Sequence, residues 1–209
     1  MGTYSAVILD LETTGLSPAQ GDRAIEIGAV LVRNNRIVDR FESLMNPGVR
    51  VSRFIEEYTG ITNGMLAGAP PVAEVMRRFA AFMADHRLVA HNSSFDRRFL
   101  DSELLRIKVP RRQEFACSML VSRRVYPDAP SHRLEALVRY KGIPAGIHHR
   151  ALADAEMTAH LWIGMTEDLK HAFRLRHVPF ELMQRLEKLS RRAAAGYLRQ
   201  LAEERGNSL

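Results

Sequence analysis

Among 209 residues there is one cysteine and one tryptophan, aromatic residues make up only 7%, and charge is weighted to one sign, with 30 Lys and Arg against 24 Asp and Glu. With Cys117 alone, neither an intramolecular disulfide nor a cysteine-rich zinc site is available, and the natural expectation is a reducing compartment. No apolar run approaches the roughly 18 residues that cross a bilayer, and the chain reaches a strand-like segment almost at once. We therefore expect a cytoplasmic protein with no membrane partner. Repeats and low-complexity tracts are also missing. What is present is 46% hydrophobic residues, enough to fill one core of ordinary size, and a formal net charge of +6. That charge suits a polyanionic partner but would equally suit a merely basic protein.

The most informative stretch is Val7-Ile-Leu-Asp-Leu-Glu-Thr-Thr-Gly-Leu16. Its alternation predicts a strand in which Asp10 and Glu12 project from the same face. Two neighbouring carboxylates resist ionisation unless something compensates them, and a divalent cation does so commonly. A solvated strand end followed by a turn is the plainer alternative. Further along, Leu88-Val-Ala-His-Asn-Ser-Ser-Phe-Asp96 reads as a short strand that breaks at His91-Asn92 and enters a helix. Ser93 or Ser94 is the N-cap candidate, and Asp96 falls in the first turn. In Ile147-His-His-Arg-Ala-Leu-Ala-Asp154 a histidine precedes an aspartate by about one and a half turns, at roughly 3.6 residues per turn.

Ser5 to Leu11, Ala24 to Arg33 and Arg36 to Leu44 read as strands, the last two joined by a tight hairpin at Asn34-Asn35. A short helix is expected around Ser52 to Tyr58. Another opens at Pro70-Pro71 and carries Val72, Val75, Phe79 and Phe82 at helical spacing. An apolar stretch from Phe115 to Val121 and helices near Leu134 to Tyr140 and Arg150 to Met165 complete an α/β layered pattern. After Thr166 basic residues dominate. Pro179 is placed to start a helix with Phe180, Met183 and Leu186 on one face, and Ala193 to Leu201 reads as another. We expect residues 1–168 to form the main domain and 169–209 a basic helical extension, packed on it or docking a partner.

Taken in order, Asp10-Leu-Glu-Thr-Thr-Gly15, Ile25-Glu-Ile-Gly-Ala-Val30, Tyr58-Thr-Gly-Ile-Thr62, Ala90-His-Asn-Ser-Ser-Phe-Asp96 and His149-Arg-Ala-Leu-Ala-Asp154 resemble the motifs of the DEDDh 3′–5′ exonucleases, the family of the proofreading epsilon subunit of bacterial DNA polymerase III. The resemblance implies an RNase H-like fold, with a mixed central sheet flanked by helices. It also implies a two-metal phosphodiester hydrolase that uses Mg²⁺ or Mn²⁺ and releases nucleoside 5′-monophosphates from the 3′ end. On this reading Asp10 bridges both cations, Glu12 and Asp154 hold the one that binds the attacking water, and Asp96 serves the other. His149 is the general base, an imidazole with an ordinary pKa near 6.5, although His148 is a rival by proximity.

Substrate contacts are implied at Thr13, Gly15 and Leu16, with Gly15 permitting a strained turn and Leu16 wedging against the last base. His91, Asn92 and Phe95 flank the second motif and are candidates for phosphate or base contact, Phe95 being equally suited to the core. Cys117-Ser118 departs from an Asp-Thr pair common in relatives. The partners implied are single-stranded or frayed DNA and a polymerase or other replication or repair protein. An exoribonuclease of the same family and a catalytically silent docking module are the alternatives.

Overall fold

The computed structural model describes residues 4–144 and 150–206. Strand β1 (Ser5–Thr13) lies at the centre of a five-stranded sheet whose order is β3-β2-β1-β4-β5. β2 (Ala24–Arg33) and β3 (Arg36–Leu44) run antiparallel, as the hairpin predicts. Asn34 and Asn35 at its tip both have positive φ, 53° and 57°, which asparagine tolerates better than other side chains. On the other side, β4 (Arg87–Ala90) and β5 (Phe115–Cys117) are parallel to β1 and to each other.

The two-residue period of β1 divides the core between the two faces of the sheet. Val7, Leu9 and Leu11 pack with Val75 and Phe79 of α3 (Val72–Met83) and with Phe99, Leu100 and Leu104 of α4 (Ser94–Arg106). Ala6 and Ile8 face α7 (Ala151–Phe173), packing in one cluster with Ala159, Leu161 and Trp162. Asp10 and Glu12 continue that second set of alternate positions, so the strand's own geometry carries them toward α7. Two short helices, α1 (Arg53–Thr59) and α2 (Asn63–Ala67), and the chain beside them cover the start of β2, where Val51, Ile61 and Leu66 cluster with Ile25.

The apolar stretch after Phe115 is divided: β5 ends at Cys117 and α5 (Ser118–Val125) begins immediately. α6 (Leu134–Lys141) follows. α7 continues past Met165 to Phe173. Beyond it, α8 (Phe180–Lys188) and α9 (Arg191–Gly206) join the α7-side core through Phe180, Met183, Leu186, Ala194 and Leu198. α8 also covers the open edge of the sheet, where Gln184 Nε2 donates to the Phe115 carbonyl at 3.3 Å and a Glu187 carboxylate oxygen accepts from Cys117 N–H at 2.7 Å. These side chains satisfy backbone groups that an edge strand otherwise leaves open.

Candidate active site

β1 extends past the three residues that pair it with β4, so its last acids lie at the carboxyl end of the parallel strands, beside the β4–α4 turn. Asn92, at φ 63°, turns the chain there and lets α4 begin at Ser94. Ser93 stands at the N-cap position without a side-chain capping bond. Asp96, in the first turn, is 2% exposed, and its Oδ1 accepts from Leu11 N–H at 3.2 Å. α7 brings Asp154 from the opposite side. Carboxylate oxygens of Asp10, Glu12 and Asp154 all lie within 4.8 Å of one another, a spacing at which one cation would touch all three. Asp96 lines the same cleft but stands outside that trio.

Burial holds the Asp10 carboxyl well above its ordinary pKa, reinforced by the charges of Asp96, Asp154, Glu12 and Glu26. Glu12 is pushed up to about 8 by burial and then by Asp154, Glu26 and Asp96, with Arg150 opposing. Asp96 is raised by burial, against the pull of the Leu11 N–H. Such a group of hard oxygen donors, crowded together with little positive charge beside it, fits one or more hard divalent cations. His148 and His149 lie outside the described residues.

The cleft around the acids has a volume of about 760 Å³, and Thr13, Gly15, Leu16, His91, Asn92 and Phe95 all line it. Gly15 bears on space rather than strain: it is not among the positive-φ glycines, but a Cβ there would lie 2.4 Å from the Asp22 carboxylate and would displace it. That carboxylate accepts from Thr14 Oγ1 and Ser17 N–H, which closes the turn behind the acids. Leu16 is 77% exposed on the rim. His91 donates through Nε2 to the His132 carbonyl and accepts at Nδ1 from the Ser118 hydroxyl, both at 2.9 Å. Burial pushes it down to about 4, so it is neutral at physiological pH and offers the cleft its ring rather than a charge. Ser118, one of the two departures noted in the sequence, thus orients a cleft residue. Phe95 packs on Phe99 at 5.0 Å and also lines the cleft.

Sequence reasoning missed the far wall. Ser52 caps α1 by accepting from Ile55 N–H, and the helix presents Phe54 and Tyr58, 70% and 55% exposed and stacked at 6.0 Å, beside the acids. Two exposed aromatics four residues apart on a short helix were the available signal, because that spacing puts them on one face. Two buried acids, Glu26 and Glu103, were also passed over. Glu103 forms a two-pronged pair with Arg23 at 2.7 and 2.9 Å, tying α4 to the chain just after the turn.

Residues 7–162 match the family model described as Exonuclease. The PolC-type DNA polymerase III of Bacillus cereus is 41% identical over 164 residues, 78% of this chain but 11% of that polymerase. This chain therefore spans about a ninth of the length of that curated relative. Exonuclease X, solved in complex with 5′-overhanging duplex DNA, superimposes with a TM-score of 0.68 at 28% identity, covering 87% of this chain and 99% of that one. The nuclease domain of 3′hExo, a DEDDh family member solved with rAMP, shares the fold with a TM-score of 0.69 at 21% identity, covering 84% and 96%. A mixed sheet with this strand order, helices on both faces and acids at the end of its central strand agrees with an RNase H-like α/β fold, and the chain belongs to the Exonuclease family.

Proposed function

We propose that this chain is a metal-dependent 3′–5′ exonuclease that hydrolyses single-stranded or frayed DNA and releases nucleoside 5′-monophosphates. The observation that carries the reading is the trio Asp10, Glu12 and Asp154 at the floor of a cleft walled by exposed apolar side chains. Asp10, Glu12 and Asp154 would hold one cation, and Asp10 with Asp96 a second; Mg²⁺ or Mn²⁺ suits this all-oxygen set. When bound, the cations supply the Lewis acidity that phosphodiester hydrolysis needs at the attacked phosphate and the departing oxygen. Leu16 and the Phe54–Tyr58 pair offer apolar faces to the terminal bases, and Phe95 closes the inner wall. His149 is assigned the role of general base, taking the proton of the attacking water. The DNA bound in the exonuclease X complex supports DNA, and the PolC-type relatives support work beside a polymerase. The site of action proposed is the cytoplasm; among the described residues no helix is long and apolar enough to cross a membrane. We assign the chemistry to residues 1–168 and bracing of the fold to 169–209.

The deciding experiment incubates the purified chain with 5′-labelled single-stranded DNA and RNA, with Mg²⁺, with Mn²⁺ or with chelator. A ladder shortening from the 3′ end on DNA, abolished by chelator and by Asp10→Ala, is expected. Cleavage that survives either treatment overturns the assignment, and a strong preference for RNA overturns the substrate.

A further inference from the structure

The two residues of β2 that stand across from Asp10 and Glu12 in the sheet register are Gly28 and Glu26. Both hold the start of α7. A Cβ on Gly28 would lie 2.0 Å from the Leu152 nitrogen and 2.1 Å from the Ala151 carbonyl carbon, so the helix backbone rests directly on the strand. Glu26 is fully buried. Its Oε1 accepts from Arg150 Nη2 at 2.8 Å and Nε at 3.0 Å, and its Oε2 accepts from the Ala151 N–H at 3.0 Å. Helix starts leave backbone N–H groups without partners inside the helix. The N-cap residue here, Arg150, supplies no side-chain acceptor. Glu26 supplies one from the neighbouring strand instead, and three residues beyond the N–H it holds is Asp154.

A purely structural clamp at this place would not need charge. Glu26 adds a negative group to a crowded acidic centre and acts against ionisation of both Asp10 and Glu12. Arg150, two-fifths exposed, offsets it. In sequence Arg150 directly follows His149, so one carboxylate grips the third motif at two adjoining residues between the assigned base and the assigned ligand.

We propose that Glu26 is a positioning residue: through the Ala151 N–H and the Arg150 guanidinium it sets the first turn of α7, and with it the placement of Asp154 against Asp10 and Glu12. The inference rests on the exonuclease reading for its kinetic consequences, but not for its effect on cation binding. Glu26→Gln keeps the volume and an acceptor for Ala151 N–H while removing the charged pair. In the full chain we expect it to stay folded and to bind Mn²⁺, titrated calorimetrically, about 10-fold more weakly, the scale on which residues behind metal ligands act. On a single-stranded oligonucleotide at saturating Mn²⁺, kcat should fall roughly 10- to 100-fold with KM within about threefold, because the substrate walls are untouched. Arg150→Gln should act in the same direction, and the double variant should be little worse than the stronger single, as for two residues on one path.

A folded Glu26→Gln protein with wild-type Mn²⁺ affinity and kcat overturns the proposal. Should that variant not fold, Arg150→Gln decides by the same two readouts. Wild-type protein run beside Asp10→Ala separates the two readings. A wild type that binds Mn²⁺ but cuts nothing sinks the exonuclease reading, and weaker Mn²⁺ binding by Glu26→Gln would still support the positioning role. A wild type that does neither sinks both.

Discussion

At the end of β1 the carboxylates of Asp10, Glu12 and Asp154 crowd one another, and the charges acting most strongly on Asp10 are those of other acids. In the C-terminal helices and the elements they touch, acids meet cations or backbone donors: Glu181 with Arg87, Asp128 with Arg191, Asp168 with Lys141, Glu187 with Cys117 N–H. The first region keeps like charges together at the expense of folding stability, which is intelligible if a cation completes it. The second spends its polar groups on closing the sheet edge and its apolar ones, Phe180, Met183 and Leu186, on the core. Substitutions in the two regions should therefore have opposite signatures, activity lost without stability in one and stability lost without activity in the other.

The sharpest break comes from Asp10→Ala or Asp154→Ala. Turnover should drop by at least about 10³-fold, while the metal-free melting temperature holds or rises because a repelling charge is gone. Near-normal cleavage by either variant would remove the acids from the site. His149→Ala should cost roughly 10²–10⁴ in rate, and His148→Ala far less, the usual difference between a positioned proton acceptor and a bystander. A larger loss at His148, measured in single-turnover experiments, would shift the third motif by one residue.

Leu186→Ala tests the other region. The side chain is fully buried among Phe180, Met183 and the α7 core, and its truncation should destabilise by about 2–5 kcal/mol in a urea melt. At a temperature where the protein stays folded, kcat should change little. A large fall in kcat with unchanged stability would show that the extension belongs to the catalytic machinery. Phe54→Ala should raise KM for single-stranded DNA by about 10-fold, within the roughly 1–3 kcal/mol that stacking on one base is worth, and leave kcat nearly intact.

The parts of this architecture written locally were legible in the sequence. Strand alternation placed Asp10 and Glu12 on one face, helical spacing exposed the Phe180, Met183 and Leu186 stripe, and Asn34-Asn35 marked the hairpin. What depended on long-range packing was not. Glu26 reads as one polar residue in an apolar strand until α7 is seen resting on Gly28 beside it. Gly15 suggested a strained turn, whereas what a side chain there would meet is the Asp22 carboxylate, seven residues along the chain. The spacing of Phe54 and Tyr58 marks a shared face but not what that face borders, because the cleft exists only once the folded chain brings α1 near the end of β1. The RNase H-like fold and the acid set came from motif order rather than periodicity, and the cleft is where that order becomes geometry.

The smallest expected effect concerns stability against pH. Glu12 is raised from the usual 4.5 to about 8, so between those values the folded protein holds a proton that the unfolded chain has released. Stability of the metal-free protein then falls as pH rises through that window. His91, lowered from 6.5 to about 4, acts oppositely, since the unfolded chain binds the extra proton and stability rises between about 4 and 6.5. The two offset one another below 6.5. From 6.5 to 8 the acids act alone, and the metal-free melting temperature should decline by a few degrees. Mn²⁺ competes with those protons, so its stabilising effect should grow over the same interval. Differential scanning fluorimetry at half-unit steps, with Mn²⁺ or chelator, reads both trends. In Glu12→Gln the decline should flatten; a decline that persists unchanged there would mean that the strain of the acidic centre is carried by Asp10 and Asp96 instead.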